Sequence, residues 1–438
     1  MSALPDNIDS RELSLFEKTP LDDSITSTYI LDHRPLHKLN EGNIIEILVN
    51  PSEDYIKLSG VHLHGKFKVV KQKLADGEEE NLAAGDDVSI ANLPASSIFK
   101  LLTLTLNGTE VTDRSSYLYG HKAWVETVLN YTGENKDTYL KNFCHFIPDT
   151  EGKEDKTTVA DNTGYKKRAD LIKESREVEF FSKLHIDMLT CTRLLLNAIE
   201  MKFTFHRQSE EAVLISPANW TTHRLKIKIT MLKLRVPYVK LSRSKADSIA
   251  SRLTKEAALY PFNMIRTISH DIPKASSGTI IRTLATGKLP DLVLLAFVQG
   301  KKFEDLKSNM LYYNHENLSR YYFLVNGVIK TAPQEEIDFD NDKYLGLYYH
   351  MIKTLKLDDP NHPVPLKKEF FKSAFSVLVL DTVGCWGGQK LHETPHGQLD
   401  ICLTFKDIPN DSISIISFQV FNASVSIDKD RIVTLNKP

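Results

Sequence analysis

Cysteine is scarce in this chain. Four occur in 438 residues (Cys144, Cys191, Cys385 and Cys402), far apart and never as Cys-x-x-Cys. That usage predicts reduced, mostly buried thiols of a cytosolic product and argues against a disulfide framework. An excess of one charge is also missing. The 55 Lys and Arg are balanced by 57 Asp and Glu, a formal net charge of −2. A protein whose main task was coating nucleic acid would carry a large basic excess to neutralise phosphates. Long apolar runs are absent too, the longest lying near Leu292–Val298, well short of the roughly 18 residues of a membrane span. Met1–Leu21 is polar and acidic with no apolar core, so no export signal is expected there. The sequons at Asn107 and Asn130 then read as chance matches. Finally, there is no Gly-x-Ser-x-Gly elbow, no Walker loop and no Gly-x-Gly-x-x-Gly after a strand.

What is present is β pattern. Alternating or β-branched runs occur at Ile44–Val49, Ile56–Val70, Phe99–Leu106, Glu179–Met188, Ile199–Phe205 and Leu225–Val236. They resume at Ile265–Ile268, Thr279–Leu284, Leu292–Val298, Tyr321–Val325, Ser373–Leu380, Leu399–Phe405 and Ile413–Ile427. Helical spacing appears at Tyr117–Leu129, around Trp124, and at Lys245–Ala258 after a potential Ser244 cap. The polar stretch Thr132–Arg176 reads as a long exposed excursion. With 41% hydrophobic and 26% charged residues, the chain is an ordinary globular one. Its length suits two domains of about 200 residues.

The two halves echo each other. Leu104-Thr-Leu-Asn-Gly108 is answered by Phe323-Leu-Val-Asn-Gly327, and each is followed by a helical run, Tyr117–Leu129 and Tyr344–Leu355. A charged-Phe-Phe strand comes next in both, at Glu179–Asp187 and Glu369–Val377. Ile199–Phe205 matches Leu399–Phe405, and a long alternating strand closes each half, Leu225–Val236 and Ile413–Ile427. Five elements in one order indicate a duplicated all-β domain. The expected division is an arm at 1–24, a first sandwich at 25–240, a linker helix at 241–258 and a second sandwich at 259–438. Duplication alone does not choose between a jelly roll and another sandwich.

A family resemblance does. Glu12-Leu-Ser-Leu-Phe16 with Pro20 and Ser24-Ile25 opens a colinear series of motifs. It continues through Glu53–Ser59, Leu106–Asp113, Arg193–Asn197, Tyr260-Pro-Phe262 and Ser426–Arg431. In these the chain resembles the major capsid proteins of Polinton/Maverick elements and their adintovirus-like relatives, from about Glu12 to Arg431. Departures lie mainly in the loops Gly152–Arg176 and Gly384–Gln398. The resemblance implies an all-β double jelly roll, two tandem eight-stranded antiparallel sandwiches with a few short helices. It implies a non-enzymatic structural protein whose homotrimers form pseudo-hexagonal capsomers of an icosahedral shell. Its partners would be neighbouring capsomers and a penton (minor capsid) protein, with no cofactor, no membrane span and no specific nucleic acid. The place implied is the virion capsid, after synthesis in the host cytoplasm, with nuclear assembly left open. Leu13, Leu15, Phe16, Leu21 and Ile25 give the arm apolar residues without a period, and it is expected to dock beneath a neighbouring chain.

Several scraps of possible chemistry occur along the chain. His62 and His64 share one face of a strand, yet a zinc site needs two more ligands. Asp338–Asp342 and Asp358-Asp359 offer oxygen ligands but no EF-hand spacing. Gly384–Gly388 sets Cys385 among glycines without a placed histidine. Lys166-Lys167-Arg168, with Lys173 and Arg176, could touch DNA, act in nuclear import or simply be solvated. Trp124 reads as part of a core stripe. No catalytic, cofactor-binding or metal residue is assigned. Two other classes stay in view: a tandem jelly-roll binding module such as a lectin or receptor-binding protein, and a cupin-like enzyme, whose metal triad is missing.

Overall fold

The computed structural model describes residues 24–113, 117–141, 147–300, 305–330, 336–359, 361, 363–382 and 396–437. The arm before Ser24, Cys144 and the Gly384–Gly388 loop with Cys385 lie outside the described residues. The first half supplies strands β1 (Ile25–His33), β2 (Ile44–Val49), β3 (His62–Lys73), β4 (Phe99–Leu106), β5 (Thr109–Glu110), β6 (Val178–Lys183), β7 (Met201–Arg207) and β8 (His223–Leu241). The second supplies β9 (Ala258–Ile272), β10 (Thr279–Lys288), β11 (Leu292–Gln299), β12 (Leu318–Val325), β13 (Val328–Ile329), β14 (Val377–Asp381), β15 (His396–Phe405) and β16 (Ile413–Ile427).

The strand orders are β1-β8-β3-β6 and β2-β7-β4-β5 in the first half, and β9-β16-β11-β14 and β10-β15-β12-β13 in the second. Raising each first-half number by eight reproduces the second half, and every one of these pairings is antiparallel. Short strands at Tyr55–Ile56, Glu79–Asn81 and Val433–Asn436 extend the edges. Each half is thus a jelly roll of eight strands in two facing sheets.

Alternation sets the inward faces. Met201, Phe203 and Phe205 of β7 and Leu399, Ile401 and Leu403 of β15 are all fully buried. Phe205 meets Phe99 at 5.0 Å between ring centroids, and in the second roll Phe297 meets Phe405 at 6.1 Å. Each such ring contributes about 1.5–3 kcal/mol by leaving water. The turn after β4 is repeated after β12. Asn107 and Gly108 have φ of 43° and 82°, and Asn326 and Gly327 have 52° and 77°; asparagine and glycine adopt this left-handed region at low cost. Both asparagine side chains then hold the incoming strand: Glu200 N–H donates to Asn107 Oδ1 (2.7 Å) and Gln398 N–H to Asn326 Oδ1 (2.9 Å).

The structure corrects several sequence expectations. Glu369-Phe370-Phe371 is not a strand but part of a helix, Lys368–Ala374. There Phe371 and Ala374 are buried three residues apart, as one helix face requires. In β6 the same trigram alternates, with Phe180 inward and Phe181 on the opposite face. The true counterpart of β6 is β14, which follows that helix. The run Ile56–Val70 is interrupted by a turn of 3-10 helix at Leu58–Gly60, where a Cβ on Gly60 would stand 2.6 Å from Pro237 Cγ. Glu179–Met188 ends as a strand at Lys183. The linker helix runs Arg243–Leu253, capped by Ser242 rather than Ser244 and without a side-chain cap bond. Ala258 already pairs with Ile427 in β9, where Tyr260 before Pro261 is held extended.

The stretch Thr132–Arg176 is packed, not exposed throughout. Its anchors Leu140, Ile147, Tyr165 and Ile172 are buried. Asn162 accepts from Gly164 N–H (3.0 Å) and Tyr165 N–H (3.1 Å), opening a helix at Thr163–Ile172. The anchors are too dispersed to register as a period. No helix among the described residues is long and apolar enough to cross a membrane.

Candidate functional site

Two regions distinguish this chain from a pair of independent sandwiches: the seam between the rolls and the outer faces of β1-β8-β3-β6 and β9-β16-β11-β14. The seam is built by helix α1 (Tyr119–Asn130) in the excursion after β5, whose Ala123, Trp124, Val125 and Val128 are buried in the second core. Trp124 is 4% exposed. They meet the outer face of β9-β16-β11-β14, where Leu292, Leu294, Phe418 and Val420 look toward Val125 and Leu129 across a small cavity. In return, Tyr260, Phe262 and Val425 of the second half belong to the first core. Neither core is complete without the other half.

Polar groups lock the seam. Lys122 Nζ donates to Asp187 Oδ1 at 2.5 Å, both side chains nearly buried, and Ile265 N–H of β9 donates to Asp187 Oδ2 at 3.0 Å. Burial pushes the Asp187 carboxyl up. Glu126 lies one helical turn away. Its burial opposes ionisation, yet the hydrogen bond from His185 (2.6 Å) and the charges of Lys122 and Lys183 outweigh it and hold Glu126 at about 2. His121 stacks on Tyr313 and bonds its hydroxyl at 3.1 Å; burial lowers this imidazole to about 3, so it is neutral. Tyr260 Oη donates to Leu194 C=O and accepts from Leu196 N–H, both at 3.1 Å, while Arg431 reaches Asn197 C=O at 2.9 Å. Buried groups paired in this way fix one relative position of the rolls. The sequence reading found Trp124 but missed Lys122, His121 and Asp187. The available signal was a His-Lys pair inside an otherwise apolar helical stripe.

The outer faces differ in kind. Strands β1, β3, β6 and β8 carry eleven Lys and Arg against two carboxylates, whereas β9, β11, β14 and β16 carry one Arg and two Asp. On the first sheet Lys68 stands directly opposite Lys228. Carboxylates at its rim bind part of the charge: Glu79 pairs with Lys226 and Lys228, Glu177 with Lys66, and Asp32 with Arg235.

The residues singled out in sequence do not converge. His62 and His64 share a face, but His62 Nδ1 bonds Gly60 C=O (2.7 Å), while His64 pairs with Glu179 (2.6 Å) and stacks on Phe181. Asp338 caps its own loop by accepting from Asp340 and Asn341 N–H, Lys406 bridges Asp338 and Asp340, and Lys372 binds Asp342. Asp358 pairs with Lys353, and Asp359 accepts from Asn361 N–H. Among the described residues no three His, Cys, Asp or Glu side chains are grouped to hold a metal. The basic cluster loses its centre: Arg168 is 2% exposed and donates to Ile90 C=O, Ile147 C=O and Asp149. Lys166 pairs with Asp170 on the same helix. Cys191 and Cys402 are buried free thiols.

No protein-family model matches the sequence, and no curated protein matches it. Solved structures do. A chain of the Sputnik virophage cryo-EM structure matches with a TM-score of 0.63 at 11% identity, covering 99% of this chain and 94% of that one. The mavirus major capsid protein matches at 0.58 and 10% identity, over 100% of this chain and 95% of its own. The capsid of PBCV-1 virus supplies a chain at 0.58 and 10% identity, over 97% and 99%. The shared property is the fold: a double jelly roll along the whole chain.

Proposed function

We propose that this protein is a major capsid protein, a structural subunit that self-assembles as a homotrimer into pseudo-hexagonal capsomers of an icosahedral shell. The observation that carries the reading is the repeated strand order of two rolls locked through one another's cores. A trimer of such chains offers six near-equivalent sandwiches, filling a sixfold lattice position with three copies. Likeness over nearly the full length to chains from viral capsids supports it.

The motifs from Glu12 to Arg431 favour the Polinton/Maverick lineage within that wider group. We divide the chain into an arm (1–24), a first roll (25–240), a linker helix (241–258) and a second roll (259–438). The role is non-enzymatic, without cofactor, metal or specific nucleic acid, and the site of action is the virion capsid, with a penton protein at the lattice vertices. A lectin-like binding module is the weaker reading, because the likeness over nearly the full length is to chains of viral capsids. Electron microscopy of the expressed protein tests the reading: three-lobed, hexagonal-outline tiles or closed shells are expected, and isolated two-lobed particles at high concentration would overturn it.

A further inference from the structure

A groove runs beside the linker helix Arg243–Leu253. Its walls come from both rolls: Leu194 and Leu196 from the loop before β7, Ile249 and Leu253 from the helix, and Leu259 and Tyr260 from the start of β9. Together they bound about 610 Å³. Polar side chains along the groove are already engaged. Arg252 pairs with Glu256, Arg193 donates to Leu259 C=O, and Tyr260 Oη bridges Leu194 C=O and Leu196 N–H. What the groove offers is apolar wall, including Leu259, which is 45% exposed. We propose that its occupant is the amino-terminal arm of the same chain. Residues 13–21 fold back into the groove of their own chain, rather than beneath a neighbour, and tie the two rolls together across the linker.

Three observations point to that occupant. The first is where the arm joins the first roll. Ser24 C=O accepts from Ser242 N–H at 2.9 Å, and Ile25 pairs with Leu241, which itself lines the groove. The arm therefore starts at the groove's edge. Extended backbone carries Phe16 up to about 27 Å from Ser24, farther than the roughly 16 Å length of the linker helix. The second is composition. Leu13, Leu15, Phe16 and Leu21 follow neither a helical nor a strand period, so they bury apolar area by docking on a ready surface and not by folding alone. The third is charge. Residues 1–23 carry six acidic and two basic side chains, with Glu17, Asp22 and Asp23 flanking the apolar positions. Exposed Lys245 stands one turn before Ile249 on the helix, and exposed Lys255 follows the helix end. Neither lysine has an ion-pair partner among the described residues. Opposite charges at the rim fix the register of such a contact. The tether also holds the arm at an effective concentration of about millimolar, so the segment needs little affinity of its own.

The test uses the full chain with a benzophenone-bearing residue in place of Phe16. After irradiation, adducts within one chain are expected, with the probe attached to peptides from residues 193–196 or 243–260. Two-chain adducts on a denaturing gel would seat the arm on a neighbour, and adducts only on other peptides would seat it elsewhere; either overturns the proposal. Limited digestion with trypsin gives a second readout. Cleavage after Lys18 should be about tenfold slower in the unaltered chain than in Phe16→Asp, the ratio expected when one ring loses its burial. Ile249→Asp should speed the same cleavage, while Ile408→Asp, at another exposed site, should not. Equal rates in the unaltered and Phe16→Asp chains would overturn the proposal even if Ile249→Asp failed to fold, since the arm substitution leaves both cores intact. Both readouts apply to a monomer as well as to a trimer.

Discussion

The sheets β1-β8-β3-β6 and β9-β16-β11-β14 occupy the same place in two copies of one fold, yet their outward sides are opposites. In β8, Leu225, Ile227 and Ile229 are buried and, after the bulge before Met231, so are Leu232, Leu234 and Val236, while Lys226, Lys228, Lys233 and Arg235 point away. In β16, Ile413 to Phe421 is buried without a break. The first sheet faces out of the chain; the second faces α1 of its sister roll. A strand reads as alternating when one side is wet and as continuously apolar when both sides are covered. The comparison therefore dates the asymmetry to assembly within the chain, since the inward faces are alike and only the outer ones have diverged.

The largest expected effect comes from making the covered face resemble the open one. Leu294→Lys puts an unpaired ammonium into the seam and should cost about 4 kcal/mol in urea unfolding; a cost near zero would mean that the outer side of β11 is wet. Trp124→Ala removes the aromatic wedge from the other side of the same contact and should cost about 3 kcal/mol. A loss below about 1 kcal/mol would show that the rolls barely rely on α1.

Acid should act on the seam next. His121 is held at about 3 in the folded chain against an ordinary 6.5. The unfolded chain therefore takes up this proton below pH 6.5 while the folded chain does so only near pH 3. The associated stability is complete above pH 6.5 and erodes as pH falls through that window, by about 2 kcal/mol at pH 5. Glu126, held at about 2, adds to the loss below pH 4.5, whereas the raised Asp187 opposes it there. His121→Phe should flatten the difference between unfolding at pH 8 and at pH 5 by that amount; an unchanged difference would place the acid sensitivity elsewhere. The smallest effect is the reverse exchange on the open face. Lys228→Leu should change the folding stability of a single chain by no more than about 0.5 kcal/mol, and a loss above 2 would contradict an uncovered sheet.

Much of this was legible beforehand. The ranges Ile44–Val49, Phe99–Leu106 and Ile413–Ile427 coincide with strands β2, β4 and β16, because alternation or β-branching was unbroken and turn residues stood at both ends. The Asn-Gly turns announced the repeat because few residue pairs tolerate those backbone angles. Glu369-Phe370-Phe371 misled because three residues cannot distinguish a period of 2 from one of 3.6; Ala374, which shares the buried helix face of Phe371, lies just beyond them. The seam was only half visible. Apolar spacing flagged Trp124, but which roll it serves depends on contacts between residues well over a hundred positions apart. Arg168 was read as surface charge for the same reason, since its partners Ile90, Ile147 and Asp149 have no signature in the local sequence.

The central claim is that two interlocked rolls make one third of a sixfold tile, and the most direct check is the solution mass of the purified full-length chain. Light scattering at micromolar concentration should give three times the 49.7 kDa of a single chain, unchanged on dilution as for an obligate interface of about 2,000–5,000 Å². A mass of one chain, constant as concentration and salt are raised, would contradict the account.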